Sequence, residues 1–101
     1  MQTIEMRQGD TIQLRLDLTV NGQPFVPDKE KIVFSVGRHK DLVFSLDVVD
    51  GVVKIPHEKT RDLNPADYRF DIRIYDEGKN LVATPVVGVF RILDVVNHEL
   101  L

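Results

Sequence analysis

The chain has no cysteine and no tryptophan. Without cysteine there are no disulfides and no thiolate metal ligands, which fits a reducing compartment. Without tryptophan, and with only two tyrosines, little is left for the ring-stacking that holds single-stranded nucleic acid. Positive charge is not in excess: the net charge of −3 argues against a generic nucleic-acid binder. No apolar run approaches the ~20 residues that a membrane-crossing helix needs. Residues 1–7 lack the basic start and apolar core of a secretory signal. No segment keeps a helical period over ten residues, and there is no internal repeat, low-complexity tract or linker.

What is there fits a single domain over residues 1–101. Hydrophobic residues make up 43% and charged residues 29%, ordinary for a globular protein. A chain this long buries roughly two-thirds of its unfolded surface, enough for one core.

The most regular stretch is 63–75. A turn with Pro65 leads into strict alternation, with Tyr68, Phe70, Ile72 and Ile74 on one side and Arg69, Asp71 and Arg73 on the other. That is a half-buried strand. A tyrosine opening such a strand after Leu63-x-Pro65 matches the tyrosine corner of two-sheet sandwiches, whose hydroxyl bonds backbone a few residues upstream. A ligand contact is the other reading of Tyr68.

Taken in order, residues 3–6 read as a short first strand and Gln8-Gly9-Asp10 as a turn. Residues 11–20 read as one strand, with Ile12, Leu14, Leu16, Leu18 and Val20 inward. Asn21-Gly22 is a turn signal, since both residues tolerate positive φ. Pro24 and Pro27 limit the next piece to an edge. Residues 32–36 and 42–49 are strands around a polar loop at 37–41. Asp50-Gly51 reads as the loop of a hairpin that pairs Val49 with Val52, Val48 with Val53, Asp47 with Lys54 and Leu46 with Ile55. Residues 56–61 leave the strand pattern, and 76–80 are a turn. Leu81–Leu93 is the last strand or strand pair, where Thr84-Pro85 and Gly88 point to an edge position and a bulge. Residues 94–101 are a tail. About seven short strands with regular turn signals favour an all-β, immunoglobulin-like antiparallel β-sandwich over a barrel.

Chemistry is sparse. His39, His57 and His98 lie in loops or the tail, with no zinc spacing between them. Asp47, Asp50, Asp62, Asp67 and Asp71 carry oxygens suited to calcium, without the EF-hand pattern. Arg38-His39-Lys40 with Arg69 and Arg73 makes a candidate cationic patch, for which a solvated polar face is the default; Phe34 and Phe44 nearby read as core. Ser35 and Ser45 lack a nucleophile elbow, and no glycine-rich phosphate loop occurs. Neither catalytic nor metal residues nor a cofactor are expected, and the chain does not read as an enzyme.

Several of these pieces, taken in order, carry a resemblance. They are Gln8-Gly9-Asp10-Thr11, Asn21-Gly22, Asp50-Gly51, the run Leu63, Pro65, Tyr68, Phe70, Asp71, and the run Thr84, Gly88, Phe90, Ile92, Asp94, Val95. Over most of its length the chain resembles the N-terminal immunoglobulin-like domain of phage baseplate upper proteins and related small prophage proteins of Gram-positive bacteria. The resemblance implies a virion structural module that binds other phage structural proteins, or copies of itself, and performs no chemistry. It implies a place in the virion, or in the host cytoplasm during assembly, with no nucleic-acid or membrane partner. The large baseplate proteins carry a downstream linker and receptor-binding head; this chain ends at Leu101 without them, and a stand-alone assembly protein and a fragment are the two readings. Sheet edges can be extended by a partner strand. Pro85 and Gly88, with Val95, Val96, Leu100 and Leu101 of the tail, are therefore the candidate partner-binding residues. The tail covering the domain's own core is the other reading. A carbohydrate- or other ligand-binding sandwich is the alternative function, with Tyr75 as its one outward tyrosine.

Overall fold

Nine strands form among residues 2–94, the part of the chain that the computed structural model describes. Five make one mixed sheet, in the spatial order β1 (Gln2–Arg7), β9 (Leu81–Leu93), β8 (Ala66–Tyr75), β5 (Lys31–Arg38) and β6 (Asp41–Asp47). β1 runs parallel to β9, and the other neighbours are antiparallel. β2 (Ile12–Arg15) pairs with β7 (Val52–Ile55) in a two-stranded sheet, and β3 (Thr19–Val20) with β4 (Gln23–Pro24) in another. The described residues are otherwise turns, with one short 3-10 turn at His57–Lys59. The all-β expectation holds.

The alternation at 68–74 becomes β8, the middle strand of the large sheet. Tyr68, Phe70, Ile72 and Ile74 are all buried, and Arg69 and Arg73 are exposed. The inner face meets Ile32, Phe34 and Val36 of β5 and Phe90 and Ile92 of β9. Three ring contacts knit it: Phe34 stacks on Phe70 at 5.4 Å, and Phe90 meets Phe34 and Phe44 edge-on at 6.2 and 6.1 Å. Such pairs contribute about 0.5–1.5 kcal/mol each beyond the area they bury. Val53 and Ile55 of β7, both fully buried, join the same core, with Ile12 and Leu14 of β2 packed against it. The apolar face of the large sheet is thus covered by a second layer.

The tyrosine corner is present. Tyr68 Oη donates to the carbonyl of Asn64 at 2.8 Å, Leu63 packs against the core, and exposed Pro65 leads into β8.

Four expectations need correction. The large sheet is mixed rather than antiparallel, because β1 runs parallel to β9, and the described strands number nine rather than about seven. The Asp50-Gly51 turn forms, with φ of 53° and 74°, and Val49 and Val52 exchange both backbone hydrogen bonds. Beyond that pair the strands part. Leu46 lies opposite Phe34 on β5, whereas Lys54 and Ile55 lie opposite Gln13 and Ile12 on β2. A continuous hairpin would keep β7 in the plane of the large sheet; crossing over lets Val53 and Ile55 cover the core instead.

The run 11–20 is two strands rather than one. Its alternation persists, with Leu18 buried and Ile12, Leu14, Leu16 and Val20 half-buried. The backbone changes partner midway: Leu16 N–H donates to Gly51 O at 2.7 Å, and Leu18 O accepts from Phe25 N–H at 2.8 Å.

Gly88 is not a bulge. The register irregularities put the extra residues on β9: Thr84 and Pro85 lie between the partners of Ile72 and Ile74, and Val82 between those of Ile74 and Tyr75, so the expected bulge is at Thr84-Pro85. Gly88 is instead a point of close approach. A Cβ there would lie 2.2 Å from Gln2 O and 2.6 Å from the Phe70 ring. Its lack of a side chain lets β1 dock alongside β9 and lets Phe70 fill the space beneath.

Gly88→Ala is therefore expected to destabilise the fold by about 1–3 kcal/mol, the usual cost of overpacking a tight core, measured by urea denaturation. An unchanged midpoint would mean that β1 does not pack as closely as described.

Candidate functional site

The outward side chains of β8, β5 and β6 build the principal surface feature. Because side chains alternate, Arg69, Asp71, Arg73 and Tyr75 share the outer face of β8, and Val33, Ser35 and Gly37 share that of β5. Arg69 lies opposite Gly37, and Asp71 opposite Ser35, which in turn faces Ser45 on β6. Long side chains on the middle strand thus stand beside a low floor of serines and glycine. The result is an open depression of about 1160 Å3 that also reaches His39, Lys40 and Val87. Gly37 is small for a local reason: a Cβ there would meet Asp41 O at 2.9 Å across the hairpin.

Within the depression Arg73 is tied to Asp71 Oδ2 at 3.1 Å. Its guanidinium is held above the ordinary arginine range first by a hydrogen bond with Tyr75, then by the charge of Asp71. Asp71 Oδ1 is buried and has no hydrogen-bond donor among the described residues. Arg69 has no ion pair among the described residues.

A second polar feature crosses the other side of the same face. Arg91 on β9 sits between Glu5 on β1 and Asp67 on β8, with Nη1 2.9 Å from Glu5 Oε1 and Nε 2.7 Å from Asp67 Oδ1. The triad clips together three adjacent strands. Its members are substantially exposed, so it contributes little to stability in water. The hydrogen bond from Arg91 holds the Asp67 carboxyl below the usual carboxylate range.

The sequence candidates scatter. His39 occupies the β5–β6 turn with a φ of 58°, and His57 sits on the 3-10 turn 3.6 Å from Glu58. His98 lies outside the described residues. Among the described residues no three metal-ligating side chains come together. The five aspartates considered for calcium take separate positions. Asp47 pairs with Lys31 at 3.4 Å, Asp62 with Arg61 at 3.7 Å, Asp67 with Arg91 and Asp71 with Arg73, while Asp50 shapes its turn.

The cationic patch assembles only in part. Arg69, Arg73, His39 and Lys40 border the depression. Arg38 does not: it lies over the Tyr68 ring, 5.5 Å from its centroid. Phe34 and Phe44 are core, as expected. Ser35 and Ser45 lie on the depression floor.

Of the partner-binding candidates, Pro85 sits on the half of β9 that β1 does not reach, since β1 begins opposite Gly88. Gly88 itself is buried under Gln2 and is not on an open edge. Val95, Val96, Leu100 and Leu101 lie outside the described residues. Not foreseen were Leu81, Val82 and Val87 on the open half, 53%, 56% and 48% exposed. The available signal was the absence of charge from residue 81 to residue 90.

Comparison with protein-family models and with curated protein sequences returns no match.

Because the Asp67 pKa is depressed in the fold, its contribution to stability is present above the unfolded carboxylate value, about 3.9, and is lost as pH falls through the folded value. Arg91→Ala is expected to move the Asp67 titration upward toward that value and to flatten the acid limb of the stability profile. NMR titration of the carboxyl carbon checks this; an unmoved Asp67 would contradict the geometry of the triad.

Proposed function

We propose that this chain is an immunoglobulin-like β-sandwich that serves as a non-enzymatic structural module of a phage or prophage tail or baseplate. It attaches to other structural subunits, or to copies of itself, by adding strands at a sheet edge. In this reading it resides in the virion, or in the host cytoplasm during assembly. The immunoglobulin-like part is supported by the two-layer core, by the crossing between sheets at Asp50-Gly51, and by the tyrosine corner at the start of β8. The tail or baseplate assignment draws on the order of motifs that resembles baseplate upper proteins.

One observation carries the assembly role. Residues 81–87 of β9 form a strand edge with no further strand beyond it among the described residues. The edge has no charged residue, and its exposed side chains include Leu81, Val82 and Val87. Natural edges are usually blunted by charge, proline, a bulge or a cover; here Pro85 and the irregular register around it are present, and charge is absent. An uncharged apolar edge favours extension by a partner strand. The alternative of carbohydrate binding draws less support. Tyr75, its one outward ring, is half-buried.

Gradient-purified tail particles test the proposal. The wild-type protein is expected to sediment with them, and a Leu81→Lys, Val82→Lys variant to remain in the soluble fraction while keeping its β circular dichroism. A wild-type protein absent from the particles would refute the tail assignment. A double variant that still co-sediments would refute the edge as the attachment point.

A further inference from the structure

We propose that the outer face of the five-stranded sheet docks an extended acidic polypeptide segment, with carboxylates at positions four residues apart and an uncharged or basic residue midway. This goes beyond the edge-pairing role above, because it concerns the face of the sheet and uses side chains rather than backbone.

The face is built as a trough. Arg69 and Arg73 project from the same side of β8. Four residues of strand separate them, about 13–14 Å at ~3.4 Å per residue. Beside them Ser35, Gly37 and Ser45 leave the floor low, so a chain laid along β8 meets both guanidiniums without climbing over bulk. The trough also concentrates positive charge. Six lysines and arginines line it against four aspartates and glutamates, on a chain whose net charge is −3. Charge complementarity therefore selects an acidic partner.

The spacing selects a polypeptide over a polysaccharide. An extended peptide repeats every two residues, as does the strand that displays the arginines. Acids at its first and fifth positions face Arg69, whose guanidinium offers a planar fork, and Arg73, whose Nε and Nη2 hold Asp71 Oδ2 and whose Nη1 remains to meet a carboxylate. Asp71 lies between the two arginines and repels an acid at the third position, which gives the site a discriminating element as well as an attractive one. A sugar would need an exposed ring platform, and Tyr75 is half-buried.

Fluorescence anisotropy of a labelled Ser/Thr-rich peptide carrying two glutamates four residues apart tests this on the whole chain. The peptide is expected to bind at low salt at least about tenfold tighter than its glutamine counterpart, and Arg69→Ala with Arg73→Ala to abolish that preference. Both arginines are exposed, so circular dichroism should be unchanged. Asp71→Asn is expected to tighten binding and to admit a peptide with a third glutamate midway, which the wild type rejects. Equal binding of the glutamate and glutamine peptides, or binding indifferent to the double arginine variant, would overturn the proposal. A heparin hexasaccharide binding more tightly than the peptide would reassign the face to polysaccharide. Self-association in sedimentation that the arginine variant abolishes would reassign it to a second copy of the chain.

Discussion

One hydrogen bond, from the Tyr68 hydroxyl to the Asn64 carbonyl, fixes where the middle strand begins. The bend at 63–66 must deliver β8 in one register. A slip of one residue would turn Phe70, Ile72 and Ile74 to solvent and bring Arg69 and Arg73 into the core. The phenol reaches back four residues, and Arg38 covers its ring. The Gln8 side chain donates to Leu63 O at 2.7 Å, which ties the same bend to the chain leaving β1. Local chemistry at the bend thus sets the phase of the strand on which both faces of the large sheet depend.

From that phase the two faces acquire different tasks. Inward, β8 meets Phe34 and Phe90 and closes a core that β7 covers from the other layer. Outward, the same strand displays Arg69, Asp71, Arg73 and Tyr75 over a floor of small residues. Arg91 joins β1, β9 and β8 by charge pairs on that face, while Gly88 joins them on the inner side by letting backbone approach backbone. The upper half of β9 is thereby held from both sides and the lower half from one. That difference leaves residues 81–87 as an open edge.

The legible parts of the fold were those written in local sequence. Period-two alternation placed the strands at 68–74 and 32–36, and Asn21-Gly22 and Asp50-Gly51 announced turns whose first residues do adopt positive φ. Tyr68 after Leu63-x-Pro65 announced the corner. What local sequence did not carry was partnership. Val52 to Ile55 can satisfy the same alternation against β6 or against β2, and only the need to cover the core decides between them. Thr84-Pro85 and Gly88 both read as bulge signals, and only the first marks one; a glycine within a strand has two explanations, and the Gln2 carbonyl and Phe70 ring that crowd Gly88 come from distant sequence. The depression was hidden for the same reason. Its floor and wall come from three strands, and its shape depends on which small residue lies opposite which long one.

The account rests most directly on the phenol at the bend, and urea denaturation of Tyr68→Phe tests it. Removing the hydroxyl while keeping the ring is expected to lower stability by about 1 kcal/mol, the net worth of one such hydrogen bond, with an unchanged denaturant slope. Stability equal to that of the unaltered protein would mean that the corner does not hold the middle strand in place.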